Sequence, residues 1–147
     1  MASIALDPAT TDVAGTDYVG RLLADEDLPT ADLHESPATL YVARAAGERV
    51  GAGGIEVYGD VALLRSVVVE PDARGRGLGT ALCAALERRA AERGVTDLYL
   101  LTTTATEFFA DRGYERIDRV EAPPAVRATR EFDALCSDAA VAMRRPL

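Results

Sequence analysis

The order of apolar and polar positions divides the chain into short units. Ser3–Leu6 is an extended segment that stops before Pro8. Between Val13 and Ala24, Val13, Tyr18, Leu22 and Leu23 recur at roughly helical spacing, with Gly15 and Gly20 blurring the limits of that helix. Leu28–Ser36, with Pro29 near its start, reads as loop or short helix. Three extended runs follow. Leu40–Ala45 is a strand, Ala46-Gly47-Glu48 a turn, and Val50–Tyr58 a second strand that Gly51, Gly53 and Gly54 weaken or bulge. Gly59-Asp60 turns the chain into Val61–Val69, which is nearly all apolar and therefore belongs at the centre of a sheet. Glu70-Pro71-Asp72 ends that run.

From Gly77 the period becomes helical. Leu78, Ala81, Leu82, Ala85, Leu86 and Ala90 mark one face, Glu87, Arg88 and Glu92 are assigned to the outer face, and Gly94 is the stop. Leu98–Thr102 is a strand, and Thr106–Arg112 a short helix closed by Gly113. Glu115–Val120 and Ala139–Arg144 are a last pair of strands. An insertion, Pro123–Cys136, separates them; Pro124 suits a first helical turn, and Val126, Phe132 and Leu135 share a face there. This order predicts one α+β domain over residues 1–147 with a mixed sheet. That length suffices for one core and is short for two.

Charge narrows the classes of partner. There are 24 acidic residues against 16 basic ones, all arginine, for a net charge of -8. Such a surface argues against nucleic acid or an anionic membrane as partner, although a local arginine cluster can still hold a small anion. No apolar run reaches the length of a membrane span, and the amino-terminal segment lacks a basic start followed by an apolar stretch. The expectation is a cytoplasmic protein. An acidic, lysine-free surface suggests a halophilic source; the plainer reading is a GC-rich genome that codes arginine in place of lysine. Cys83 and Cys136 fit free thiols in a reducing compartment, Cys83 as packing in the long helix. No metal cluster is expected, and the single histidine, His34, reads as a surface loop residue.

The most informative segment is Val67-Val68-Val69-Glu70-Pro71-Asp72-Ala73-Arg74-Gly75-Arg76-Gly77-Leu78-Gly79-Thr80. A buried strand delivers the chain to a loop, and the loop opens a helix. Glycines at 75, 77 and 79 remove side chains where backbone N–H groups converge, which makes a nest for phosphate or diphosphate. Arg74 and Arg76 add charge and bidentate contacts. A P-loop is excluded because the chain has no lysine, and the spacing G-x-G-x-G is not the dinucleotide fingerprint. The alternative is a tight turn whose glycines serve packing alone.

Arg74-x-x-Gly77-x-Gly79, following Leu64-Arg65-Ser66-Val67-Val68-Val69, resembles the acetyl-CoA-binding motif of the GNAT superfamily of N-acetyltransferases. Phe108-Phe109-x-x-x-Gly113-Tyr114 resembles the late motif of the same superfamily, and the element order matches its fold across almost the whole chain. Leu63–Ser66, Leu100–Ala105 and Val126–Phe132 with Leu135-Cys136 look like the branch associated with arsenic-resistance gene clusters, a label that does not define a substrate. The resemblance implies a mostly antiparallel sheet with a splayed central strand pair and flanking helices. It implies acetyl-CoA as acyl donor, its diphosphate held by Arg74, Gly75, Arg76, Gly77, Leu78, Gly79 and Thr80. It also implies that the backbone of Val67, Val68 and Val69 pairs with the pantetheine arm, that the Val67 amide is the oxyanion donor, and that Phe109 packs against the pantetheine end or the core.

Acetyl transfer to an amine needs an anchored donor, a polarised carbonyl, a deprotonated amine and a stabilised thiolate. Many family members carry tyrosine where Phe109 stands, and phenylalanine cannot donate a proton. Tyr114, Ser66, Thr103 or water would have to substitute, Tyr114 being the named candidate. Glu56 is the candidate base, with a solvated or salt-bridged acid as the alternative. Arg65 lies inside an apolar run and must find an anion or reach water. Strand alternation puts it on the face of Leu63, Val67 and Val69, which by the resemblance borders the acceptor. The expectation is a clamp for a carboxylate, phosphonate or arsonate; the competitor is an internal ion pair with Glu56. Arg127 and Arg130, three residues apart, could converge on the same anion or form a solvated helix face.

The expected function is N-acetyl transfer from acetyl-CoA to a small anionic amine, amino-acid-like or a toxic analogue, in a ternary complex. A non-catalytic acyl-CoA-binding module and a protein N-acetyltransferase are the alternatives. The Pro123–Cys136 insertion counts against the latter, since it could close the groove that a polypeptide needs. A homodimer is left open.

Overall fold

A seven-stranded sheet in the order β1-β2-β3-β4-β5-β7-β6 forms the frame. The structure, a computed structural model, describes residues 4–9, 13–25, 39–103, 105–129 and 140–147. The strands are β1 (Ala5–Pro8), β2 (Thr39–Ala45), β3 (Glu48–Tyr58), β4 (Val61–Val69), β5 (Asp97–Thr102), β6 (Glu115–Ile117) and β7 (Val141–Pro146). The helices are α1 (Val13–Asp25), α2 (Leu78–Glu92), α3 (Thr106–Asp111) and α4 (Pro124–Arg127). Every pairing is antiparallel except β4 with β5. This is the mixed, mostly antiparallel sheet that the sequence predicts, with the apolar β4 at its centre.

Apolar side chains cover both faces of that centre. On one face, Leu78, Leu82 and Leu86 of α2 pack against Ile55, Leu64, Leu98, Leu100 and Met143. On the other, Tyr18, Val19, Leu22 and Leu23 of α1 meet Leu40, Val42, Ala52 and Val68. Val126 of α4 meets Leu63, Tyr99 and Ala142 on that second face. Burial of each such leucine stabilises the fold by about 1.5–3 kcal/mol.

A bulge in β4 changes the expected side-chain alternation. The register passes from Gly54↔Arg65 to Ala52↔Val68, so Ser66 and Val67 together oppose Gly53. Ser66 takes φ 58, a left-handed conformation that is uncommon for a residue with a side chain. The extra residue turns Val67 and Val69 to the α2 face with Leu64, whereas Leu63 stays on the α4 face. The expectation that Arg65 shares a face with Val67 and Val69 is therefore corrected. The glycines of β3 make room for this irregular stretch. A Cβ on Gly51 would come within 2.3 Å of the Val68 carbonyl oxygen, and one on Gly53 within 2.5 Å of Leu86 Cδ1.

Some boundaries and one surface assignment also change. Strand β6 stops at Ile117 because Asp118 and Glu121 form a reciprocal capping box around a 3-10 turn at Arg119–Glu121. The last strand runs Val141–Pro146, paired with β6 as expected. In the insertion, Pro124 does open a helix, and this helix ends at Arg127 with Ala128 as its C-cap. Glu87 is not on the outer face of α2 but only 7% exposed. His34, Arg130, Phe132, Leu135, Cys136 and the Leu28–Ser36 segment lie outside the described residues. No helix among the described residues is long and apolar enough to cross a membrane.

Candidate active site

Two features meet at the C-terminal end of β4. The first is the loop into α2. Glu70 closes a turn with Ala73, Arg74 N–H donates to the Pro71 carbonyl, and the chain then enters Gly75 at φ 81 and Gly77 at φ 73. Both left-handed positions favour glycine, and a Cβ at either would meet nothing within 4 Å. Gly77 caps α2 without any side-chain cap, and the first helical bond there is Ala81 N–H to the Gly77 carbonyl. Among the described residues no backbone acceptor takes the amides of residues 75–80. The result is an open cup of donors at a helix N-terminus, which fits the diphosphate of a nucleotide-tailed thioester. Arg74 and Arg76 flank the cup, exposed, with Arg74 Nε on the Val69 carbonyl and an Arg76 terminal nitrogen on that of Asp72, each at 3.1 Å.

The second feature is a gap. Parallel pairing of β4 with β5 covers Val61, Ala62 and Leu63 only, opposite Asp97, Leu98 and Tyr99. Beyond Leu63 the two strands part, as expected of a splayed central pair. On its other edge β4 remains paired, Val68 and Val69 lying opposite Ala52 and Gly51. The β5-facing edge of Val67–Val69 thus carries main-chain groups that no described strand takes up, and it runs directly into the cup.

Arg65 and Glu56 lie on the face opposite α2. Arg65 donates from a terminal nitrogen to Glu56 Oε2 at 3.0 Å, and their side chains are 1% and 3% exposed. Arg65 Nε–H donates to Ser66 Oγ at 3.0 Å. The Tyr58 hydroxyl donates to Glu56 Oε1 at 2.6 Å. The internal ion pair, named above as the competitor to the clamp, is thus present. It forms a chain from Tyr58 through Glu56 and Arg65 to the bulge. Sequence reasoning missed Tyr58, although two residues beyond Glu56 is the same face of a strand. Arg127 is exposed on α4, whose neighbour Val126 packs on Leu63.

Tyr114 sits elsewhere. It is buried under α2, edge-on to Phe109 at 5.4 Å, and its hydroxyl donates to Glu87 Oε2 at 2.9 Å. Burial and the Glu87 carboxylate push this phenol well above its usual range. Glu87 also receives Arg112 and Arg145, each at 2.7 Å, which explains how an acid survives inside α2's packed face. Phe109 is buried in the same cluster, and Phe108 lies 3.6 Å from the position of a Cβ on Gly79, beside the cup. Cys83 is fully buried, as its helical position suggested, and burial pushes its thiol up to about 12. Folded protein is expected to resist alkylation at Cys83 under mildly alkaline conditions, and unfolded protein to react. Site-resolved mass spectrometry checks this, and equal labelling of both forms would contradict it.

The comparisons agree with this geometry. The model of the acetyltransferase (GNAT) family matches residues 7–118. An amino-acid acetyltransferase of Mycobacterium tuberculosis is 31% identical over 133 residues, 88% of this chain and 71% of that protein. One from Ectopseudomonas mendocina is 40% identical over 70 residues, 48% of this chain and 16% of the relative. Among solved structures, N-acetylglutamate synthase from Neisseria gonorrhoeae, complexed with coenzyme A and N-acetyl-glutamate, superposes with TM-score 0.77 at 19% identity, over 100% of this chain and 36% of that one. A Mycobacterium tuberculosis protein in complex with CoA gives TM-score 0.78 at 22% identity, over 97% and 99% of the two chains. The chain therefore spans well under half of the Ectopseudomonas and Neisseria proteins. With its parted central strands, its glycine cup and a family match over most of its length, this chain belongs to the acetyltransferase (GNAT) family.

Proposed function

We propose that this protein transfers the acetyl group of acetyl-CoA to the amino group of a small, anionic, amino-acid-like acceptor, directly within a ternary complex. The observation that carries this reading is the continuity of the unpaired β4 edge with the open amide cup. Bound acetyl-CoA would supply an activated acyl group as a thioester. The amides of residues 75–80, with Arg74 and Arg76 turned outward, hold its diphosphate. The main chain of Val67–Val69 takes the pantetheine arm as an added strand. The Val67 N–H stabilises the negative charge that develops on the thioester carbonyl oxygen.

Glu56, oriented by Tyr58 and Arg65, accepts the proton of the acceptor amine directly or through water. As the new C–N bond forms and the C–S bond breaks, the CoA thiolate takes up a proton. Phe109 has none to give and the Tyr114 hydroxyl is engaged by Glu87, which leaves Ser66, Thr103 or water to deliver it. Lack of a positioned acid slows such a step by roughly 10²–10⁴-fold without forbidding it.

The anionic acceptor is supported by a relative named amino-acid acetyltransferase and by Arg65 and Arg127 on the side of the sheet opposite α2. Arg65, Arg127 and Arg130 are the proposed contacts. The resemblance of Val126–Phe132 to the arsenic-associated branch adds arsenic-bearing amino acids to the candidates. The test is thiol release from acetyl-CoA against a panel of amino acids, aminophosphonates and arsenical analogues. Acceptor-dependent release is expected. Tight CoA binding with no release across the panel would instead make the protein a binding module.

A further inference from the structure

A carboxylate stands at the root of the donor loop, where an incoming diphosphate would repel it. Glu70 is the residue after β4. Its N–H donates to the Val50 carbonyl at 2.7 Å, and its own carbonyl accepts from Ala73 N–H at 2.9 Å, so its backbone closes the first turn of the loop. Its side chain reaches away from that turn. The Tyr18 hydroxyl, on α1 and 52 residues distant in sequence, donates to Glu70 Oε1 at 3.0 Å. Tyr18 is 6% exposed, among the apolar side chains of Val19, Leu22 and Leu23. Two guanidiniums stand over its ring, Arg21 at 5.5 Å and Arg49 at 5.2 Å from the centroid. Apolar packing alone would be served by phenylalanine, so the hydroxyl needs its own explanation.

We propose that Tyr18 is a positioning residue of the donor site: its hydroxyl holds the Glu70 carboxylate toward α1 and out of the diphosphate cup. The inference rests on the reading that this loop receives the diphosphate of acetyl-CoA. Burial and the bond to Glu70 push the Tyr18 phenol well above its usual range, which keeps it a hydrogen-bond donor. Released from that bond, Glu70 would swing with its charge unmasked next to an anion that the cup must attract.

The experiment titrates CoA by calorimetry into the wild type, Tyr18→Phe, Glu70→Gln and the double variant. Phenylalanine keeps the ring beneath both guanidiniums, and thermal melts confirm that each variant is folded. Tyr18→Phe is expected to weaken CoA binding roughly five- to tenfold. Glu70→Gln is expected to bind at least as tightly as the wild type, and the double variant to match Glu70→Gln. With S-acetylpantetheine, which lacks the diphosphate, Tyr18→Phe should keep the wild-type kcat/KM. Unchanged CoA affinity in Tyr18→Phe, a double variant as weak as that single one, or an equal loss with S-acetylpantetheine would each overturn the proposal. A wild type that binds no CoA would refute the donor-site reading itself.

Discussion

Arg65→Ala is expected to cost about 3–5 kcal/mol of stability, because it strands a buried carboxylate. Both partners are almost fully buried, with side-chain exposures of 1% and 3%. Removal of the guanidinium takes away the bond to Glu56 Oε2 and the bond to Ser66 Oγ that ties the bulge to the ion pair. Tyr58 remains on Oε1, but one phenol does not compensate a buried charge. The melting temperature should fall by roughly 10–20 °C. Replacement of both charges, Arg65→Met with Glu56→Leu, should recover much of that loss, since no charge is then left buried without its partner. In the folded fraction of Arg65→Ala the acceptor KM should rise while acetyl-CoA affinity holds. Unchanged stability would show that the pair is dispensable, and an equal loss of acetyl-CoA affinity would remove Arg65 from the acceptor side.

Gly77→Val acts on the other substrate. Gly77 adopts φ 73 and ψ 11 at the start of α2. A β-branched residue there is strained by about 1–2 kcal/mol, but its Cβ meets no neighbour within 4 Å, so the fold should survive. The isopropyl group would stand over the amides proposed to hold the diphosphate. Loss of a single charge-assisted bond to the anion corresponds to about 10–100-fold in affinity. Calorimetry should show acetyl-CoA binding weakened by at least about tenfold, with thermal stability lowered only modestly. Unchanged affinity would mean that the glycines serve the turn alone.

Most of the frame was legible because local pattern and global fold agree. The apolar run of β4, the glycine-rich turn and the 3.6-residue period of α2 each pointed to one element, and each formed there. What escaped depended on contacts distant in sequence. Glu87 read as surface because its partners, Arg112 and Arg145, belong to α3's end and to β7. The face of Arg65 was misplaced because one left-handed residue, Ser66, shifts the period-two pattern for everything after it. Gly51, Gly53 and Gly54 did signal an irregular strand, yet their reason is the close approach of β4, Leu86 and Leu40 respectively, which composition does not reveal. Tyr18 showed only as an apolar position, since its hydroxyl's partner lies 52 residues away. The end of β6 was missed for a local reason, a capping box at Asp118 and Glu121 that reads as polar strand until its hydrogen bonds are seen.

A titration of isotope-labelled protein with CoA, followed amide by amide in NMR spectra, tests the donor site most directly. Saturable shifts should be largest at Gly75–Thr80 and should extend along Val67–Val69, with small changes at β1 and β6. Shifts centred on another surface, or spectra that CoA leaves untouched, would contradict the assignment of this loop and strand as the place where the thioester binds.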